Sequence, residues 1–197
     1  NVPYRVFGGT SFYQRKEVKD FVAYLRLAVN PNDEEALRRI INVPARGISD
    51  ATVDKLTSLA SVKGLPVWEA MLLPDLDVTD RARKSLAVFR NMVEEWRGRV
   101  ATDNAYRLAA DILKRSGLFD SLKSDTSPEG IGRLENVNAV LDAVSEFADN
   151  PTLLEDDFND PTLADRTHDR SLAAYLQTIT LLTDADESDR DAGRLAH

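Results

Sequence analysis

Apolar residues return at steps of three and four along most of this chain, the period of a helix face. Val18, Phe21, Val22, Leu25 and Ala28 trace such a face over residues 14–29, which Pro31 closes. Asn32 with Glu35 three residues on predicts a capping box, opening a short helix with Ala36, Leu37, Ile40 and Ile41 on its apolar side. Val53, Leu56, Leu59 and Ala60 mark a third helix ending near Gly64, and Trp68, Met71 and Leu72 a short one after Pro66. The longest stripe is Ala82, Leu86, Phe89, Val93, Trp96 and Val100, whose alternating steps of four and three predict a long helix packed antiparallel to a neighbour. Tyr106, Ala109, Ile112 and Leu113 give another, stopped by Ser116-Gly117. Ser127-Pro128 starts a helix of about five turns with Ile131, Leu134, Leu141, Val144 and Ala148 inward. A last helix carries Leu172, Tyr175, Leu176, Ile179 and Leu182.

Three stretches break the period. Val2-Pro3-Tyr4-Arg5-Val6-Phe7 is β-branched and aromatic and stops at Gly8-Gly9, which predicts one short strand and a turn. A lone strand leaves its backbone groups unpaired, so its sheet is expected in a missing part of a longer protein, and the absent initiator Met fits that. The acidic stretch from Asn150 to Asp169 predicts a loop, and the acidic tail 184–197 a disordered end. The expected fold is all-α, an irregular bundle of about 7–9 helices with one short N-terminal strand.

Charge sharpens this picture more than composition does. The 197 residues carry a formal −8, the wrong sign for phosphate contact. Residues 150–197, however, hold eleven Asp or Glu against four Arg, leaving 22 acids and 21 bases before them. A near-neutral body can present a local basic face. The chain has no cysteine, which removes disulfides and thiolate metal sites and points to a cytoplasmic setting. No apolar run approaches the ~18 residues of a membrane span, so no membrane partner is expected.

Catalytic and metal motifs fail on inspection. A phosphate-cradling loop needs Gly-Lys-Ser/Thr, and the dipeptide Gly-Lys does not occur. His168-Asp169 lacks further histidines, the other being His197. Asp184, Asp186 and Ser188 begin like a calcium loop but place Asp189 where Gly is required and Leu195 where Glu is required. No catalytic residue, cofactor site or metal site is assigned to this chain.

Two segments carry more information. The first is Gly8-Gly9-Thr10-Ser11-Phe12-Tyr13-Gln14-Arg15-Lys16-Glu17-Val18-Lys19-Asp20, a Gly turn entering a helix. The second is Arg39-Ile40-Ile41-Asn42-Val43-Pro44-Ala45-Arg46-Gly47-Ile48-Ser49-Asp50-Ala51-Thr52, a helix, a tight Gly turn and a new helix. Such a hairpin can aim helix-start amides at a phosphate, and Gly permits close approach. It can equally be a mere connection.

In this order the two segments resemble the UvrD/Rep/PcrA family of superfamily 1A DNA helicases. The first is similar to that family's entry from its second motor domain, 2A, into the inserted 2B subdomain. The second resembles its Gly-Ile-Gly duplex-contacting loop, with Ser49 where the second Gly is usual and Ala45 where some members have Lys. Arg133-Leu134-Glu135-Asn136 is similar to a run on a later 2B helix. The resemblance covers about residues 1–185. It implies a 2A remnant and junction over 1–13, a helical 2B subdomain over 14–183, and the tail 184–197.

The function implied by the resemblance is that of a regulatory, duplex-contacting part of an ATP-dependent 3′–5′ helicase of DNA repair or replication restart. ATP and Mg would be handled elsewhere in the parent protein. The implied partners are duplex DNA near a single-strand junction, the parent's other domains and repair proteins. Arg46, Gly47, Ile48, Ser49 and Thr52 are the implied DNA contacts, with Lys123 in the loop after the sixth helix. Asp50 caps the helix start but repels phosphate. The competing expectation is a helical module that docks protein partners and ignores DNA, which the overall acidity favours.

Overall fold

A computed structural model describes residues 10–149 and 169–195. The strand expected over 2–7, its Gly turn and nearly all of the acidic loop from residue 150 lie outside them. Among the described residues there are ten helices and no strand, so the fold is all-α. They are α1 (Thr10–Tyr13), α2 (Lys16–Val29), α3 (Glu34–Ile40), α4 (Asp50–Lys63), α5 (Val67–Ala70), α6 (Asp80–Arg99), α7 (Ala105–Arg115), α8 (Leu118–Ser124), α9 (Pro128–Asp149) and α10 (Leu172–Leu195). The count exceeds the expected seven to nine because α1 is a single turn and α8 is two turns without a stripe of its own.

Helix α2 is the centre. Ten of its fourteen residues are buried, which no one-sided surface helix could accommodate, and it packs against α3, α6, α7, α9 and α10. Three of its buried residues are polar, Glu17, Asp20 and Tyr24, at the three- and four-residue steps that align them on one face. Each meets a different element. The Asn136 amide on α9 donates to Glu17 Oε1 at 2.7 Å, and Arg15 donates to Asn136 Oδ1 at 3.0 Å. Arg39 on α3 donates to Asp20 Oδ1 at 2.8 Å. Tyr24 serves the turn that precedes α4.

The caps follow side-chain chemistry. Thr79 Oγ1 accepts from Ala82 N ahead of α6, and Asn104 Oδ1 from Tyr106 N and Arg107 N ahead of α7. Gly64 (φ +64°) and Gly117 (φ +86°) end α4 and α7 in the left-handed region that favours glycine. The cap of α3 is Asp33, which accepts from Ala36 N, rather than Asn32 one residue earlier.

The α6 stripe is buried as its spacing predicts, through Ala82, Leu86, Phe89, Val93 and Trp96. The α9 stripe is rotated from its expected face. Asn136, Val137, Val140 and Val144 are inside while Ile131 is 52% exposed, because the pairing of Asn136 with Glu17 makes a polar position buriable. Helix α10 continues to Leu195, past the residue 184 where disorder was expected. Acidic composition alone does not stop a helix, and no proline intervenes.

Candidate nucleic-acid interface

Chain from Ile41 to Ser49 makes the turn between α3 and α4. Gly47 has φ +80° and is exposed, and Ile48, 1% exposed, drops its side chain into the core. Ser49 is the N-cap of α4: its Oγ accepts from Thr52 N at 3.2 Å and lies 3.2 Å from the Thr52 hydroxyl. Asn42 fills the concave side of the turn. Its Oδ1 accepts from Arg46 N at 2.8 Å and Ile48 N at 3.2 Å, a side chain standing in for a backbone turn.

Those bonds decide which amides remain. Arg46, Ile48 and Thr52 N–H groups are occupied inside the turn. The amides of Gly47, Ser49, Asp50 and Ala51 have no acceptor among the described residues, and all four residues are exposed. They sit at the positive end of a fourteen-residue helix, where an anion is favoured.

Arg46 is placed differently from the DNA contact implied by the sequence. Its guanidinium turns inward and donates to Ile40 O at 2.8 Å, Ile41 O at 2.7 Å, Ser116 O at 3.1 Å and the Tyr24 hydroxyl. Its Cζ stands 5.0 Å from the centroid of Phe89. Tyr24 in turn donates to Val43 O, and burial, partly opposed by the Arg46 charge, pushes its phenol above the ordinary value, so it remains a neutral donor. One cation therefore fastens the turn to α2, α3, α6 and the α7–α8 junction, and both of its terminal nitrogens are taken up inside.

Of the other implied contacts, the Thr52 side chain is buried at 8% exposure with its hydroxyl against Ser49. Lys123 is exposed, but it stands in the last turn of α8 rather than in a loop, 5.8 Å from the Phe119 ring centroid. Pro44 packs against Gly117, where an added Cβ would lie 3.5 Å from Pro44 Cγ, so the α7–α8 turn backs the α3–α4 turn. The structure thus brings Arg46, Gly47, Ile48, Ser49 and Thr52 together, with the backbone of the turn outward and most side chains inward.

Sequence reasoning missed Asn42, Tyr24 and Ser116. Asn42 had a signal, a short amide placed just ahead of a Pro and a Gly. Ser116 acts through its carbonyl, which any residue would supply. Among the described residues no group of three or more potential metal ligands occurs, and no helix is long and apolar enough to cross a membrane.

The family of the UvrD-like helicase C-terminal domain matches residues 1–194, and the chain belongs to that family. It is 32% identical over 188 residues to the ATP-dependent DNA helicase PcrA of Bacillus subtilis (strain 168), covering 95% of this chain and 23% of that protein. It is 36% identical over 195 residues to the ATP-dependent DNA helicase UvrD1 of Mycobacterium tuberculosis (strain ATCC 25618 / H37Rv), covering 94% and 24%. A DNA helicase II of Rickettsia typhi is 34% identical over 156 residues, covering 78% and 24%. The chain spans about a quarter of the length of these relatives.

Proposed function

We propose that this chain is the 2B subdomain, preceded by a short 2A remnant over 1–13, of an ATP-dependent 3′–5′ DNA helicase acting in repair or replication restart. In this reading it contacts duplex DNA ahead of a single-strand junction through the Gly47 turn and regulates unwinding. ATP and Mg bind other parts of the parent protein, and the isolated chain has no ATPase activity. The observation that carries the reading is the exposed run of unoccupied amides at Gly47, Ser49, Asp50 and Ala51, at a positive-φ glycine and a helix start. Ile48 serves from inside by seating the turn and Thr52 by bonding the Ser49 cap, and Lys123 is an outlying contact on α8.

The test is a salt titration of binding to a duplex bearing a 3′ single-strand tail. Amide and cation contacts predict affinity that falls linearly on a log–log plot as salt rises and that varies little with base sequence. No binding at low salt, or an affinity indifferent to salt, would remove DNA from the function. Measurable ATP turnover by the purified chain would overturn the division of labour.

A second reading is favoured by a different surface. Between α2 and α10 lies an open, mainly apolar groove lined by Arg26, Val29, Leu176 and Leu181, the last 72% exposed. A surface of that kind suits protein docking, within the parent helicase or with repair proteins. Leu181→Asp would weaken such docking and leave duplex affinity unchanged.

A further inference from the structure

We propose that the positive charge of the duplex contact comes from helix α6, through Arg81 and Lys84, while Arg46 serves that contact only by holding the turn. This rests on the reading of the Gly47 turn as a phosphate contact and adds the side chains that complete it. The turn lies directly on α6, since a Cβ at Gly47 would stand 3.5 Å from Ser85 Oγ. On a helix, residues four before and three after Ser85 are its surface neighbours, which are Arg81 and Val88, and Lys84 lies on the same side as both. Arg81, Lys84 and Val88 are all exposed, Val88 by 69%.

The other cations of α6 are engaged. Arg83 donates to Leu73 O and Leu76 O, Arg90 covers the Trp68 ring, Arg97 pairs with Glu94, and Arg99 with Asp103 and Asp111. The Arg81 and Lys84 side chains have no hydrogen-bond or ion-pair partner among the described residues. Of six cations on this helix, the two without acceptors are Arg81, one turn before Ser85, and Lys84, next to Ser85 in sequence. Three residues apart, they stand close enough to serve neighbouring phosphates of one strand. Two exposed carboxylates at nearby helix starts, Asp50 and Asp80, oppose them, so the contact is strong only at low salt.

Salt dependence separates a residue that touches phosphate from one that shapes the site, because only the former releases counterions. Duplex affinity of the full chain is measured from low to moderate salt for wild type, Arg81→Ala, Lys84→Ala, the double variant, Arg46→Gln and Gly47→Ala, with thermal melting to confirm folding. Each α6 substitution is expected to lower the log–log slope by about 0.9 and the double by about 1.8. Arg46→Gln, which removes the charge, is expected to weaken binding with the slope unchanged, because the guanidinium of Arg46 never meets the phosphate. If the double variant keeps the wild-type slope while Gly47→Ala loses affinity, the turn binds DNA and α6 does not, which overturns this proposal alone. If wild type fails to bind at low salt, the turn reading falls and this proposal with it. A slope lowered by Arg46→Gln would also overturn the division between α6 and the turn.

Discussion

Two arginine networks meet Trp96, one through Tyr24 and one through Arg115, and their contrast separates polar chemistry that shapes this fold from polar chemistry that decorates it. In the first, Arg46 is enclosed by Tyr24, Phe89 and four backbone carbonyls. In the other, Arg115 makes a forked pair with Glu95 at 2.6 and 2.7 Å and reaches Asp111, which Arg99 also contacts at 2.7 Å. This second network holds all the ion pairs of the two. It is also largely open to water, where solvent and salt offset most of its Coulomb energy. The first has no carboxylate at all, yet removing its cation would strand carbonyls from two distant parts of the chain.

The largest expected effect is therefore at Arg46. Arg46→Ala should destabilise the chain by about 3 kcal/mol, read by denaturant unfolding, because buried acceptors lose a charged donor. A loss no greater than that of Arg115→Ala would erase the contrast. Next is Asn136→Ala, which leaves the buried Glu17 carboxylate without its donor at an expected cost of about 2 kcal/mol. An Asn136→Ala chain as stable as wild type would place α9 among the decorated parts.

The smallest effect belongs to the exposed network. Arg115→Ala should lower the melting temperature by only about 1–2 °C in low salt and by less in high salt. Acid should expose the same contrast. The Arg115 hydrogen bonds hold the exposed Glu95 carboxyl below its ordinary value. Burial pushes Asp111 up, but the Arg99 and Arg115 hydrogen bonds outweigh it and hold that carboxyl low. Below about pH 4 the unfolded chain then takes up protons before the folded one at these two groups, and stability falls. Asp20 behaves oppositely: burial raises its carboxyl despite Arg39 and Lys16, so the folded chain binds its proton first and stability rises as pH drops through that raised value. Arg115→Ala should flatten the acid limb that Glu95 and Asp111 create, as followed by melting between about pH 5 and pH 2.

Much of the bundle was legible because apolar periodicity reports burial directly where a helix has one buried face. The α6 stripe could be read that way, and the Gly64 and Gly117 stops from the place of glycine at helix ends. Helix α9 could not, since its buried face includes Asn136, and only the partner on α2 makes that residue an interior one. The position of the Gly47 turn was readable from its motif. The orientation of Arg46 was not: its acceptors are the carbonyls of Ile40, Ile41 and Ser116, the last seventy positions away. A carbonyl leaves no mark in the alphabet of side chains. An Arg beside a surface glycine therefore looks like a ligand contact until the backbone around it is known.

Fastening the turn at so many points has a mechanical result. A force applied at Gly47 cannot be relieved by bending the loop alone, because Arg46 passes it to the central helix through Tyr24 and to the far junction at Ser116, with Pro44 braced on Gly117. The loop and the bundle behind it would move as one lever, so whatever pulls on the turn tilts the whole body.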